Sequence, residues 1–183
     1  MTHLTSSNNY KDSANTLFYD NVTIRKNNYC LAASKNGLAY VGKEGCTKLP
    51  LRTFYPNNTL IRNPQVLAPY IQELKEYFTG TRKNFTLPIE INQACSPFQQ
   101  QVLEKVAQIS YGKTVSYGKI ATAINNPGAI RAVAHAVALN PVLFFIPCHR
   151  VILNNGKVGK YRLGTKVKAS LINLEKSYSH DNS

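Results

Sequence analysis

The apolar residues of this chain change period part-way along, and that change restricts the possible folds more than any other feature. Between residues 18 and 41 the chain is cut into short runs rich in β-branched and aromatic residues, VTI (22–24), YCLAA (29–33) and LAYV (38–41). Asn27-Asn28 and Asn36-Gly37 punctuate them as turns, so the segment predicts a small antiparallel sheet. Asn36-Gly37 is the strongest hairpin signal in the chain. From residue 64 the spacing becomes helical: Val66, Tyr70, Leu74 and Tyr77 recur every three to four residues and Gly80 follows as a stop. LPIEI (87–91) reads as a last strand or a linker. Sheet plus helix over residues 16–91 predicts a compact α/β lobe. Nothing in it has the residue types of an active site, so its expected role is scaffolding.

The second half is expected to be helical. Ser96 can cap a helix, Pro97 suits its first position, and Gln99 can reach back as in a capping box. Phe98, Val102, Val106 and Ile109 then form one apolar stripe, ended by Gly112. TVS (114–116) is a short extended link. A helix over 117–124, a break at Asn125-Asn126-Pro127-Gly128, and a second helix as far as 139 give the outline of a helix-turn-helix. The second helix carries alanines at 129, 132, 134, 136 and 138, and such small side chains let a backbone come close to another surface. Arg131 and His135, four apart, share a face. By itself this is equally a packing helix with a solvated arginine. The fold class is α+β: the α/β lobe, then a mainly helical domain over 92–177, with loose polar ends at 1–15 and 178–183.

Charge and cysteine usage narrow the function. The net charge is +13, of which residues 95–183 supply +8. Such a field attracts a polyanion and speeds encounter with it. The longest apolar run, 142–146, is too short to cross a bilayer. The polar N-terminus lacks the core of a secretory signal. An intracellular protein is expected, cytoplasmic or, from a eukaryote, nuclear, with its cysteines unpaired. Those cysteines, at 30, 46, 95 and 148, include no C-x-x-C pair, so no metal site is expected. Three read as packing residues. Cys148 differs, because an apolar strand (142–146) delivers Pro147-Cys148-His149-Arg150 into a turn. Neighbouring cations and imidazoles lower a thiol's pKa. On an extended chain, however, His149 points away from Cys148, and a bridging water is the expected relay.

Those residues do not stand alone. IPCHRV (146–151), preceded by Asn140-Pro141 and followed by G-x-V-G-x-Y (156–161), resembles the O6-alkylguanine-DNA alkyltransferases. The similarity extends through SPFQQQVLEKVAQISYGKTVSYGKIA (96–121), NPGAIRAVAHAVALNP (126–141) and KVGKYRLGTKVKASLINLEK (157–176), and more loosely through 67–85. It implies DNA repair by direct damage reversal. The chain would transfer an alkyl group irreversibly from O6-alkylguanine in double-stranded DNA to Cys148, with O4-alkylthymine a minor substrate. A thioether is a poor leaving group, so each monomer would act once, without a cofactor.

The resemblance also implies residue roles. His149 and Glu175 draw off the thiol proton, Glu175 lying on the edge of a buried stripe of Val167, Leu171 and Leu174. Tyr117 hydrogen-bonds the leaving base, and Asn140 ties the helix-turn-helix to the active site. Val151, Tyr161 and Arg162 wall the base pocket. Arg131 enters the base stack where the nucleotide is extruded, while Ala129, Ala132 and Ala134 let their helix lie in the minor groove.

Departures are visible. Ala134-His135 stands where relatives often carry glycine, Leu163 replaces an aromatic residue, and Leu143, Phe144 and Phe145 make a bulkier approach to Cys148. Tolerance for large alkyl groups therefore does not carry over. The Cys/His set of the zinc-binding relatives does not occur. Three rivals stay open: a damage-binding module, which would lack the acceptor thiol; a thiol hydrolase using Cys148, His149 and Glu175, which would turn over; and a transcription regulator.

Overall fold

The computed structural model describes residues 15–43 and 49–179. Strands β1 (Thr16–Ile24), β2 (Asn27–Ser34) and β3 (Gly37–Lys43) pair antiparallel, and helix α1 (Leu49–Phe54) precedes β4 (Thr59–Arg62). β4 runs parallel to β1, giving the order β3-β2-β1-β4. The sheet is therefore mixed rather than antiparallel. A parallel neighbour requires a long crossover, and here it passes through β2, β3 and α1.

The first hairpin turns at Arg25-Lys26, whose φ values of 48° and 64° mark a type I′ turn. Asn27 and Asn28 instead open β2, opposite Ile24 and Thr23, so the expected turn shifts by two residues. The second hairpin turns at Lys35-Asn36, with Gly37 already in β3 opposite Ser34. Glycine is needed there because a Cβ would stand 2.6 Å from the Pro88 carbonyl oxygen.

β2 is apolar without alternation because both faces of the sheet are covered. Leu31, Ala33, Leu38 and Val41 face α2 and the helical half. Cys30, Ala32, Ala39 and Tyr40 face Leu51 and Tyr55. Cys30 is disulfide-bonded, against the expectation of unpaired cysteines. Cys95 and Cys148 are free thiols. Compartment alone says nothing about which thiols the fold brings together.

Helix α2 (Pro64–Thr79) keeps the expected bounds. The Asn63 side chain accepts from Val66 N, and Gly80 closes the helix in the left-handed conformation at φ 81°. Its buried face is Leu67, Tyr70, Leu74, Tyr77 and Phe78, with Val66 only half-buried. The 87–91 segment is a linker that pairs with the outer edge of β3 by two bonds, Leu38 N to Pro88 O and Glu90 N to Leu38 O.

In the second half, α3 (Pro97–Ala107) is capped by the Ser96 side chain. Gln99 closes no capping box; its amide donates to Leu139 O and pins the end of a later helix. Helices α4 (Tyr117–Ala123) and α5 (Ile130–Ala138) pack on α3 and on each other across a turn where Asn125 has φ 57°. This is the expected helix-turn-helix. β5 (Val115–Ser116) pairs parallel with β6 (Val151–Ile152). Helix α6 (Thr165–Ser179) runs two residues into the expected loose tail. One core joins both halves, running from Leu31 and Leu74 to Val102, Val133 and Leu171. Among the described residues no helix is long and apolar enough to cross a membrane.

Candidate active site

Residues 142–147 do not form the expected strand. Phe145 N donates to Leu143 O, and Phe144 between them has φ 71°. A positive φ at the centre of such a three-residue turn marks the rarer, strained γ-turn, and a bulky residue there is an outlier. Ring contacts with Tyr29, Tyr77 and Phe78 hold Phe144 in place. Cys148 N donates to Ile146 O around Pro147, at φ −80° and ψ 60°, an inverse γ-turn. Two tight turns in succession thus aim the next three residues, a 3-10 turn over Cys148–Arg150. The loop is docked on β3 through Val41 N to Pro141 O and Leu143 N to Val41 O.

Cys148 is 3% exposed and lines a cavity of about 680 Å³ with Tyr117, Arg131, Ala134, Tyr161, Arg162 and Lys168. Asn140, wholly buried, staples this floor. Its amide donates to Cys148 Sγ at 3.1 Å and Ile146 O at 2.8 Å, and its oxygen accepts from Val142 N at 3.0 Å. Burial pushes the Cys148 thiol up, against the Asn140 hydrogen bond and the charges of Arg162 and Lys168. The Tyr161 hydroxyl is buried beside Cys148 without reaching hydrogen-bond geometry.

Behind Cys148, His149 is fully buried and turns its Nε2 to Glu175 Oε1 at 2.7 Å. Its Nδ1 is buried with no hydrogen-bond partner among the described residues. Burial lowers the His149 pKa, Glu175 raises it, and Arg150 and Lys168 lower it again. Glu175, 1% exposed, also accepts from Gly112 N, from Arg150 through Nε and Nη2, and from the Tyr77 hydroxyl at 2.8 Å. Burial alone would raise this carboxyl, but the His149 and Arg150 bonds outweigh it and hold it at about 2.

Several expectations change. Arg150 turns from Cys148 to Glu175 and Ile109 O; the cations facing the thiol are Arg162 and Lys168. His149 follows Cys148 in a 3-10 turn, not an extended strand. The buried stripe of α6 is Lys168, Leu171, Ile172 and Glu175, with Val167 and Leu174 half-buried. Lys168 Nζ lies 5.7 Å from the centre of the Tyr117 ring, and burial drives its pKa down to about 8. Its i, i+3, i+4, i+7 spacing with Leu171, Ile172 and Glu175 was a signal for this residue. Arg162 Nη2 donates to Val41 O and its guanidinium stacks near Tyr40 and Phe54, tying the cavity wall to the first lobe.

Of the alanines on the second helix, Ala134 lines the cavity, Ala132 is exposed and Ala129 is half-buried. Arg131 is exposed at the mouth. Val151 is buried in β6, its backbone paired with Val115. The first lobe is not mere scaffolding, since Tyr77 reaches both His149 and Glu175.

Comparison with known proteins covers both halves. Residues 97–177 match the DNA-binding domain of 6-O-methylguanine DNA methyltransferase, and residues 31–91 match its ribonuclease-like domain. The inducible methylated-DNA–protein-cysteine methyltransferase of Bacillus subtilis is 39% identical over 170 residues, covering 91% of this chain and 94% of its own. The corresponding Mycobacterium tuberculosis protein is 39% identical over 127 residues, 69% of this chain and 76% of its own. The crystal structure of M. tuberculosis O6-methylguanine methyltransferase superposes with a TM-score of 0.78 at 32% identity, over 91% of this chain and 96% of that one. A structure of M. tuberculosis OGT in complex with DNA gives 0.77 at 31% identity, over 88% and 94%. With both domains matched and a relative aligned along nearly its whole length, this chain belongs to the methylated-DNA–protein-cysteine methyltransferase family.

Proposed function

We propose that this chain reverses alkylation damage in double-stranded DNA by moving the alkyl group of O6-alkylguanine onto Cys148. O4-alkylthymine is a minor substrate, and a single copy of the chain suffices. The observation that carries this is that Cys148 lines a cavity of about 680 Å³, a volume within the range of pockets that hold small ligands. Chemistry on a paired base requires its extrusion from the stack. Arg131, exposed on α5 and lining the cavity, would fill the gap that the base leaves.

In the transfer, Cys148 Sγ attacks the alkyl carbon, the S–C bond forms, and the C–O6 bond breaks. The thiol proton passes to His149 Nδ1, the buried nitrogen with no partner among the described residues, through a water. Glu175 steadies the resulting imidazolium. The electron pair of the broken bond returns to guanine, where the Tyr117 hydroxyl meets the developing charge. A proton from the Tyr117 hydroxyl, replaced from solvent, then restores the normal base. Donor and acceptor balance between DNA and protein, and the thioether product is no leaving group, so each chain reacts once.

Incubation with duplex DNA containing O6-methylguanine, followed by peptide mass mapping, tests this. The expected result is one methyl group per chain, on Cys148 and not on Cys95, with Cys148→Ala still binding DNA. Methylation of that variant at comparable yield, or many turnovers per chain, would overturn the proposal.

A further inference from the structure

The geometry points to Tyr77 as a positioning residue of the relay: its hydroxyl holds the Glu175 carboxylate against His149 and moderates its pull on the imidazole. This rests on Cys148 being the alkyl acceptor and on His149 receiving its proton. Tyr77 lies on α2, in the first lobe, whereas its partners lie on α6 and in the turn after Cys148.

Three heavy atoms form a tight triangle. Tyr77 Oη is 2.8 Å from Glu175 Oε1 and 3.2 Å from His149 Nε2, and Nε2 is 2.7 Å from Oε1. Burial, then the Glu175 charge, pushes the phenol well above its ordinary range, so the hydroxyl keeps its proton and donates it. With Glu175 ionised, a contact of 2.7 Å between Nε2 and Oε1 requires hydrogen on Nε2. Nδ1 is then the ring's basic atom.

The groups facing His149 come from every side. Glu175 and Lys168 lie on α6, Arg150 and Cys148 flank it in its own turn, and Tyr77 approaches from α2. Tyr111 stands beyond, against Arg150 and Glu175. Oε1 accepts from Tyr77, His149 and Arg150 together. Each additional donor lessens the negative charge felt by the imidazole.

Two effects of the hydroxyl oppose each other. As a donor to Glu175 it weakens the carboxylate's hold on an imidazolium; as an acceptor near Nε2 it favours one. The first is a short, charge-assisted bond and the second a longer contact, so the first prevails. Tyr77 therefore helps keep His149 neutral and able to take the Cys148 proton. It works through Glu175, without touching DNA or the sulfur.

Tyr77→Phe removes only the hydroxyl and retains the ring contacts with Phe78, Phe85 and Phe144. Single-turnover methyl transfer from duplex O6-methylguanine is measured for the unaltered chain and the variant across the range in which histidine titrates. The acid limb of the variant should move to higher pH by roughly 0.5–1 pH unit, about a three- to ten-fold loss of rate on that limb. The rate should recover at higher pH, with DNA affinity unchanged. A limb that stays in place, is scaled uniformly, or moves to lower pH overturns the inference.

Imidazole ¹⁵N NMR of the unaltered chain provides a reading that does not depend on how the variant folds. A neutral ring with hydrogen on Nε2 at neutral pH supports the inference, and a charged ring or hydrogen on Nδ1 overturns it. Methylation of Cys148 in the unaltered chain, checked in the same samples, separates failure of this inference from failure of the proposed function.

Discussion

Replacing Glu175 by Gln should cost stability as well as activity, because the carboxylate neutralises a buried arginine besides serving His149. The carboxyl is held at about 2 against a free value of 4.5. That difference corresponds to about 3 kcal/mol of folding stability at neutral pH. The folded-state pKa is depressed, so this contribution is fully present above the unfolded value. It is lost as pH falls from about 4.5 through about 2.

A Gln at 175 removes this contribution and leaves Arg150, 6% exposed, without its counter-charge. Breaking such a buried pair costs about 3–5 kcal/mol, a large share of the roughly 5–15 kcal/mol that holds a domain together. Urea unfolding of both proteins at neutral pH and in acid measures the effect. The unaltered chain should weaken steeply between pH 4.5 and 2, whereas Glu175→Gln should start weaker and vary less across that window. Adding Arg150→Met should recover part of the loss, since the uncompensated charge goes too. A loss below about 1 kcal/mol at neutral pH, with the acid slope unchanged, would refute the assignment of this pair.

Two further predictions concern the groups at the cavity. Arg131→Ala should slow repair of duplex DNA far more than reaction with free O6-methylguanine base, which needs no gap filled; equal slowing in the two rate assays would assign Arg131 another task. Asn140→Ala removes the donor that lowers the Cys148 pKa, so thiol alkylation by iodoacetamide should shift to higher pH, with about 1–3 kcal/mol lost in thermal unfolding for the buried groups left unpaired; an unshifted alkylation profile would count against the Asn140–sulfur bond.

Features carried by local chemistry were legible in the sequence. The start of α2 at Pro64 and its stop at Gly80, the Ser96 cap and the helix-turn-helix each depend on a few neighbouring residues. Cys148, Asn140, His149 and Glu175 are candidates through the family resemblance of their segments, and hydrogen bonds join Asn140 to Cys148 and His149 to Glu175. Features fixed by the meeting of distant segments were not legible. Tyr77 looked like one more member of an apolar stripe, since its hydroxyl finds a purpose only against α6. The burial of Lys168 is not legible, because a lysine is ordinarily placed in water. The parallel β4 and the two γ-turns before Cys148 follow from tertiary packing, which overrode the strand-like pattern of 142–146. The first turn was misplaced because asparagines signal a turn more strongly than Arg25-Lys26, yet the pair closes it.

The docking of the 141–143 segment on β3 also bears on the exposure of the sheet edge. β3 ends the sheet, and an open edge strand invites another chain to add its own. Here the edge is occupied twice, by the linker at Leu38 and by the loop that leads to Cys148 at Val41. The loop that presents the thiol is thus also the guard against strand-to-strand association. A substitution that loosens it uncovers backbone donors and acceptors at Val41, so impaired repair and self-association would arise from one displacement.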